Sequence, residues 1–147
     1  MAKKVALLTS GGDAPGMNAA IRAIVRAGII NEMEMFAVFE GFKGLVEDQI
    51  VQVDRSFVSE ILMRGGTILK TARLKSFVEE KIQDIAVSNL KKHGIDTLVI
   101  IGGDGSYRGG AALVTKGINV IGIPATIDND VIGTDTTIGF DTALNTI

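Results

Sequence analysis

Apolar positions along the chain fall into two kinds of run. Short unbroken runs at 4–8, 34–39, 50–53, 97–101 and 119–123 are dominated by Val, Ile, Leu, Met and Phe and are bounded by turn-type residues. Such runs predict strands, and Thr97–Ile101 in particular predicts one buried on both faces of a parallel sheet. Longer stretches repeat at helical spacing: Met17, Ile21, Ile24, Val25 and Gly28, then Val78, Ile82, Ile85, Ala86 and Leu90. A shorter helix is expected over Tyr107–Lys116, closed by Gly117. Strands alternating with helices predict an α/β domain, a doubly wound, mostly parallel sheet flanked by helices.

Local signals set expectations for the ends of these elements. Asp13 or a neighbour is placed to cap the first helix, with Pro15 in a first turn that lacks backbone partners. Ser76 and Glu79 have capping-box spacing ahead of the second helix, and Lys91, Lys92 and His93 crowd its last turn before Gly94. His93, the only histidine, reads as a residue complementing the helix dipole rather than as a catalyst. Glu40–Gly44 reads as a loop, Ser56–Met63 as a short helix, Arg64–Thr67 as a turn and Thr71–Arg73 as irregular. Phe140, Leu144 and Ile147 begin a helical stripe with no C-cap after it, which points to truncation.

Candidate chemistry gathers where the strands end. Thr97-Leu-Val-Ile-Ile-Gly-Gly-Asp-Gly-Ser106 runs from a buried strand into a glycine-rich loop and then a helix. Gly102, Gly103 and Gly105 let the backbone turn tightly and approach a ligand, and a helix amino terminus after a parallel strand favours phosphate. Asp104 adds a carboxylate to a loop that otherwise attracts anions, and a bridging Mg²⁺ reconciles the two. The next strand empties into Pro124-Ala-Thr-Ile-Asp-Asn-Asp130, so two successive loops carry carboxylates on one side of the sheet. Gly11 and Gly16 have the outer spacing of a Walker A loop, but Met17 stands where its Lys belongs. Gly103-Asp-Gly105 begins a dinucleotide fingerprint, but Arg108 replaces its third glycine. Nested glycines, a metal carboxylate, a second acidic loop and scattered arginines fit phosphoryl transfer.

Composition narrows the picture further. The 147 residues fit one domain, and 46% hydrophobic content with 5% aromatics and no Trp predicts an aliphatic core. Glycine, at 18 residues, exceeds the ~7% of average proteins, the excess falling largely in strand-to-helix loops. A net charge of -2 offers no global attraction to nucleic acid or an anionic membrane, so any phosphate recognition is local. No apolar stretch approaches the ~18 residues of a membrane span. The absence of cysteine excludes disulfides and thiolate chemistry and suits a cytoplasmic protein.

At this level of detail the sequence resembles the ATP-dependent 6-phosphofructokinases of bacterial type. The resemblance runs from Lys3 to Ile147 and rests on TSGGDAPGMNAAIR at 9–22, RGGT at 64–67, AR at 72–73, IGGDGS at 101–106 and TIDND at 126–130, with GTD and TIGFDTAL following. It implies transfer from MgATP to the 1-hydroxyl of fructose 6-phosphate. Position by position, Asp128 would accept the proton, Thr126 and Ile127 would lie against the sugar or the transferred phosphoryl, and Asp104 would hold Mg²⁺. Gly12, Arg73, Leu74, Gly103, Gly105, Ser106 and Gly109 would line the nucleotide. Arg73 would steady the moving phosphate, and Asp130 would support metal or base electrostatically. Without the resemblance, Asp128 and Asp130 read as turn residues.

Arg22 and Arg26 lie one helical turn apart, and spacing alone makes them a solvated face. The resemblance instead groups them with Arg55 and Ser59 as an allosteric site for ADP or phosphoenolpyruvate between subunits of a homo-oligomer, a homotetramer in the family. It also implies ATP rather than pyrophosphate as donor: the relatives that use pyrophosphate tend to carry Asp at position 105 and Lys at 125, where this chain has Gly and Ala. Ala125 replaces the usual Gly of that loop, and Lys75-Ser76 stands where Pro-Glu is common. NAD and lipid kinases share GGDG loops but not TIDND or GGDAPGMN. The family continues into a sugar-phosphate domain, so residues 1–147 are expected to form the nucleotide-binding half. The alternative is a non-catalytic nucleotide-binding or oligomerisation fragment.

Overall fold

The computed structural model describes residues 2–146, with the side chain of Thr146 excluded. Strands β1 (Lys4–Thr9), β2 (Glu34–Val38), β3 (Ile50–Val53), β4 (Thr97–Gly102) and β5 (Asn119–Pro124) form one sheet in the order β3-β2-β1-β4-β5. All neighbours are parallel except β2 and β3, which pair antiparallel. Helices are α1 (Met17–Ile30), α2 (Gly41–Val46), α3 (Glu80–Lys92), α4 (Asp104–Val114) and α5 (Phe140–Thr146).

Strand alternation divides the core in two. Val5, Leu7, Met35, Ala37, Val99 and Ile101 face α1, where Met17, Ile21 and Val25 are fully buried. Ala6, Leu8, Phe36, Val38, Leu98 and Ile100 face Phe42 and Leu45 of α2, Ala86, Val87 and Leu90 of α3, and Leu113 of α4. The central strands β1, β2 and β4 are therefore covered on both faces, as the buried β4 run requires, while edge strand β5 is largely exposed. From β1 the chain winds outward to β2 and β3, then returns to place β4 on the other side of β1. The crevice at the carboxyl ends of β1 and β4 is thus the point where strand order reverses, the position at which such sheets bind ligands.

Several element ends depart from expectation for identifiable reasons. Residues 41–46 are helical rather than a loop: Glu40, at φ 62°, turns the chain, and the apolar pair Phe42 and Leu45 gives the segment a face to bury. The proposed helix over Ser56–Met63 shrinks to a 3₁₀ turn at Ser56–Val58, because Asp54 Oδ1 accepts from Phe57 N and Ser56 Oγ and caps one turn. Asp13 does not cap α1; left-handed Gly16 occupies that position, with Pro15 before it. The Ser76/Glu79 capping box is not formed, since residues 75–78 make a separate 3₁₀ turn and Glu79 leads into α3 in extended conformation. The buried face of α3 is consequently Gln83, Ala86, Val87 and Leu90, leaving Val78 and Ile85 exposed. α4 starts at Asp104, three residues earlier than the apolar pattern suggests. In α5, Leu144 is exposed, and Ile147 lies outside the described residues.

His93 is the C-cap of α3, and its Nε2 lies 2.8 Å from Asp48 Oδ1, tying α3 to the end of α2. Hydrogen bonds from Lys92 and His93 hold the Asp48 carboxyl below the usual carboxylate range. His93 thus stands at the end of α3, as its position in the sequence suggests, with its ring committed to Asp48.

Candidate active site: the glycine cleft and the acidic loop

The loops after β1 and β4 are fastened to each other. Ser10 N donates to Ile101 O at 3.0 Å, and Ala125 N, just beyond β5, donates to Gly102 O at 2.9 Å. Gly102 has no room for a side chain, since a Cβ there would stand 2.7 Å from Ser10 O. A third segment is brought in from the far side of β1. Thr9 Oγ1 bonds Thr67 Oγ1 at 3.0 Å and donates to Lys70 O at 3.1 Å, while Glu40 N donates to Leu69 O at 2.8 Å. Buried Asn18 holds the same loop by donating to Arg64 O and accepting from Ile68 N. These bonds carry residues 72–75 to the carboxyl edge of the sheet.

The result is a cleft of about 380 Å³ lined by Ser10, Gly11, Gly12, Phe42, Ala72, Arg73, Leu74, Lys75, Gly103, Gly105, Ser106, Ala125 and Thr126. A second lobe of about 490 Å³ shares Ser10, Phe42, Leu74, Lys75 and Gly105 and adds Phe77, Val78, Gln83, Arg108, Gly109 and Ala112. The first lobe is floored by glycines and the amino terminus of α4, whose free N–H groups favour an anion. The second has an apolar wall, with the rings of Phe42 and Phe77 4.6 Å apart. A polar lobe opening into an aromatic one matches the two ends of a nucleoside polyphosphate.

Gly12 and Gly105 carry the most information. Neither has a positive φ, and a Cβ built on either would meet nothing within 4 Å. Neither the backbone conformation nor the packing of this chain requires glycine there, as is also true of Gly65; what distinguishes Gly12 and Gly105 is that they line the cleft.

Of the residues singled out from sequence, Gly12, Arg73, Leu74, Gly103, Gly105, Ser106 and Thr126 surround the first lobe, and Gly109 lies in the second. Asp104 sits at the rim as the first residue of α4, with Arg108 Nη2 3.2 Å from its Oδ2. Among the described residues no group of three or more His, Cys, Asp or Glu could hold a metal. Of the described residues Asp104 alone offers a carboxylate at this rim, a donor type compatible with Mg²⁺, which takes one or two protein carboxylates and completes its shell with water and phosphate oxygens.

Ile127, Asp128 and Asp130 stand outside the cleft on the loop that follows Thr126, and all three are exposed. The loop is closed at its base by Thr126 N to Ile138 O, Thr137 Oγ1 to Thr126 O at 2.6 Å, and Ile138 N to Pro124 O. Its organiser is Asn129, at φ 51°, which accepts from Thr137 N at 2.9 Å and donates to Asp135 O at 3.3 Å. Among the described residues neither Asp128 nor Asp130 has a hydrogen bond or ion pair to its carboxylate. The turn-residue reading therefore passes to Asn129, and the two carboxylates remain unspent.

The arginine cluster is only partly assembled. Arg22 Nη1 donates to Val58 O at 3.0 Å, bringing α1 beside the turn that carries Arg55 and Ser59. Ser59 Oγ donates to Ser56 O. Arg26 is half-buried on α1, and none of the four residues lines the cleft.

Sequence reasoning missed Ser10, Phe42, Phe77, Gln83 and Arg108 as cleft residues, and had already marked position 75 through the Lys75-Ser76 departure. One local signal existed: Gln83 interrupts an otherwise apolar helical face, spaced i+3, i+4 and i+7 from Ala86, Val87 and Leu90, whereas the meeting of Phe42 and Phe77 shows only in the folded chain.

The comparisons with known proteins agree with this geometry. The family model described as Phosphofructokinase matches residues 4–147. The chain is 56% identical over its full 147 residues to an ATP-dependent 6-phosphofructokinase of Vibrio cholerae, of which it covers 46%, so it spans about half the length of that curated relative. Among solved structures, phosphofructokinase of Pichia pastoris in the T-state superposes with a TM-score of 0.91 at 41% identity, covering 98% of this chain and 17% of that one. Phosphofructokinase of Saccharomyces cerevisiae gives 0.87 at 38% identity, covering 97% and 22%. A match that spans the sheet, the glycine cleft and the acidic loop together leaves one conclusion: the chain belongs to the phosphofructokinase family.

Proposed function

We propose that residues 1–147 form the donor half of a 6-phosphofructokinase active site: they hold MgATP, and the complete enzyme transfers the terminal phosphoryl group to the 1-hydroxyl of fructose 6-phosphate, giving fructose 1,6-bisphosphate. The observation that carries this reading is the space kept clear at Gly12 and Gly105 on the floor of a cleft walled by Arg73, Ser106 and Thr126.

The chemistry follows from where charge sits. Phosphoryl transfer requires positioning and charge neutralisation more than covalent help. The amino terminus of α4 and the loop at Gly11–Gly12 receive the polyphosphate, and the Arg73 guanidinium, with no ion pair or hydrogen bond among the described residues, is free to follow the moving group. Asp104 would hold Mg²⁺, which supplies further neutralisation when bound; Arg108 must then release the carboxylate. Such an exposed pair costs ~1 kcal/mol or less to break. Asp128, unpaired and exposed, takes the proton from the sugar hydroxyl as its oxygen attacks phosphorus, and Asp130, two residues on, keeps the local potential negative so that the proton is accepted. Thr126 Oγ1, which accepts from Asp128 N at 3.2 Å, ties the base to the cleft edge.

Gly105 and Ala125 leave room for the α-phosphate of a nucleotide, which supports ATP over pyrophosphate as donor. Arg22, Arg26, Arg55 and Ser59 are proposed as one side of an effector site for ADP or phosphoenolpyruvate, completed by another subunit of a cytoplasmic homo-oligomer. No helix among the described residues is long and apolar enough to cross a membrane.

Calorimetric titration of the chain with MgATP tests the reading. Saturable binding, weakened about tenfold by Asp104→Ala as expected for loss of a charge-assisted contact, is the expected result. Absence of binding by the intact chain, or an unchanged affinity in the variant, overturns the assignment of a self-contained donor site.

A further inference from the structure

The aromatic lobe of the cleft contains one polar side chain that is fixed rather than solvated. Gln83, on the buried face of α3, is 8% exposed, and its Nε2 donates to Phe77 O at 2.8 Å. A carbonyl can only accept, so the amide has one orientation: nitrogen toward Phe77 and Oε1 away from it. Oε1 has no partner within the protein, yet it is not among the buried unsatisfied atoms, of which Tyr107 Oη is the one found in the described residues. Gln83 Oε1 therefore reaches open space, and the residue lines the aromatic lobe.

We infer that Gln83 Oε1 is the acceptor that selects the purine base, recognising the 6-amino group of adenine and rejecting bases that carry a 6-oxo group. The inference rests on the reading of this cleft as a nucleotide site and goes beyond it by assigning base specificity to a residue. A 6-amino group donates to a fixed acceptor. A 6-oxo group sets oxygen against oxygen and leaves both without a partner, and a site built for a hydrogen bond discriminates most strongly against such a mismatch. Of the other polar side chains at this lobe, Lys75 and Arg108 are long and exposed, so they turn to base, phosphate or water alike, and the Ser10 hydroxyl both donates and accepts, so none of the three selects a base edge as a fixed acceptor does. Phe42 and Phe77 supply stacking, which every base satisfies.

The test is a titration of the intact chain with the Mg²⁺ complexes of ATP, ITP and inorganic tripolyphosphate, repeated on Gln83→Met, which keeps the side-chain length and removes the acceptor. Inosine differs from adenosine at the 6-substituent and at the adjacent N1, which gains a proton, so the ATP to ITP ratio reads that one edge of the base, and its change in Gln83→Met assigns the reading to Oε1. ATP binding about tenfold tighter than ITP, the scale of one mismatched polar contact, with the ratio falling toward one in Gln83→Met, is the expected result. Equal affinities for ATP and ITP in the unsubstituted chain overturn the inference while leaving the nucleotide cleft intact, and so does a ratio unchanged in a folded Gln83→Met. Failure of all three ligands to bind, tripolyphosphate included, overturns the nucleotide reading itself and the base selection with it. Should Gln83→Met not fold, the ATP to ITP ratio of the unsubstituted chain decides alone.

Discussion

In the glycine cleft, the sheet does the positioning: Ser10 N, Ala125 N and the start of α4 are placed by bonds to Ile101, Gly102 and Gly103, all at the end of β4. In the acidic loop between Thr126 and Thr137, the sheet stops at the base, and one side chain, that of Asn129, organises the rest. The first region rests on strands whose residues are almost wholly buried. The second holds its two carboxylates in solvent. The difference teaches that the cleft is a property of the domain itself, whereas the acidic loop is a display: loop geometry presents Asp128 and Asp130 outward to solvent.

The largest expected effect separates display from scaffold. In the chain joined to the part of its Vibrio cholerae relative that it does not cover, the proposed function expects Asp128→Asn to lower turnover ~10²- to 10⁴-fold, the range for loss of a general base. In the chain as described here, the same substitution leaves MgATP affinity within about twofold, because Asp128 lies outside the cleft and spends no hydrogen bond on it. Parallel turnover and titration measurements check both. A variant that loses nucleotide binding and turnover together breaks the comparison, since the acidic loop would then be part of the donor site.

Gly105→Ala comes next and is expected to move two quantities in opposite directions. The added methyl meets nothing in the protein, so replacing Gly in the first turn of α4 stabilises the fold by up to ~1 kcal/mol through helix propensity and reduced unfolded-state freedom. The same methyl enters the space assigned to phosphate, and MgATP binding weakens about tenfold, the lower end of overpacking penalties. Denaturant titration and calorimetry on one preparation give both numbers. A gain in stability with undiminished binding would show that the clear space at Gly105 is incidental.

How much of this was legible beforehand follows from the same contrast. The β4 run and the glycines after it are local patterns, and they located the switch-point crevice because an unbroken apolar strand has few other places to go. The helix at 41–46 was hidden because its two glycines and acidic start read as turn chemistry; only Phe42 and Leu45 finding a buried face decides otherwise. The second lobe was illegible for a related reason, as Phe42, Phe77 and Gln83 come from three segments that meet only through tertiary packing. The roles of Asp128 and Asp130 came from resemblance alone. Nothing in the spacing of three alternating Asp and Asn residues says that the middle one holds the loop while its neighbours stay free.

That last point yields the smallest and sharpest prediction. Asn129→Ala removes the acceptor for Thr137 N and the donor to Asp135 O, and it places a Cβ residue without a compensating side chain at φ 51°. Two part-exposed hydrogen bonds and a left-handed backbone residue together are worth ~1 to 2 kcal/mol of local opening. Amide exchange at Thr137 should therefore accelerate about tenfold, while exchange at Ser10 and Ala125, whose bonds belong to the cleft, stays unchanged. Asn129→Gly apportions the effect: it loses the same two bonds but relieves the backbone cost, so its acceleration should fall short of that in Asn129→Ala by the strain contribution alone. If exchange at Ser10 and Ala125 accelerates alongside Thr137, the loop and the cleft form one cooperative unit, and the independence of donor scaffold from acidic display fails.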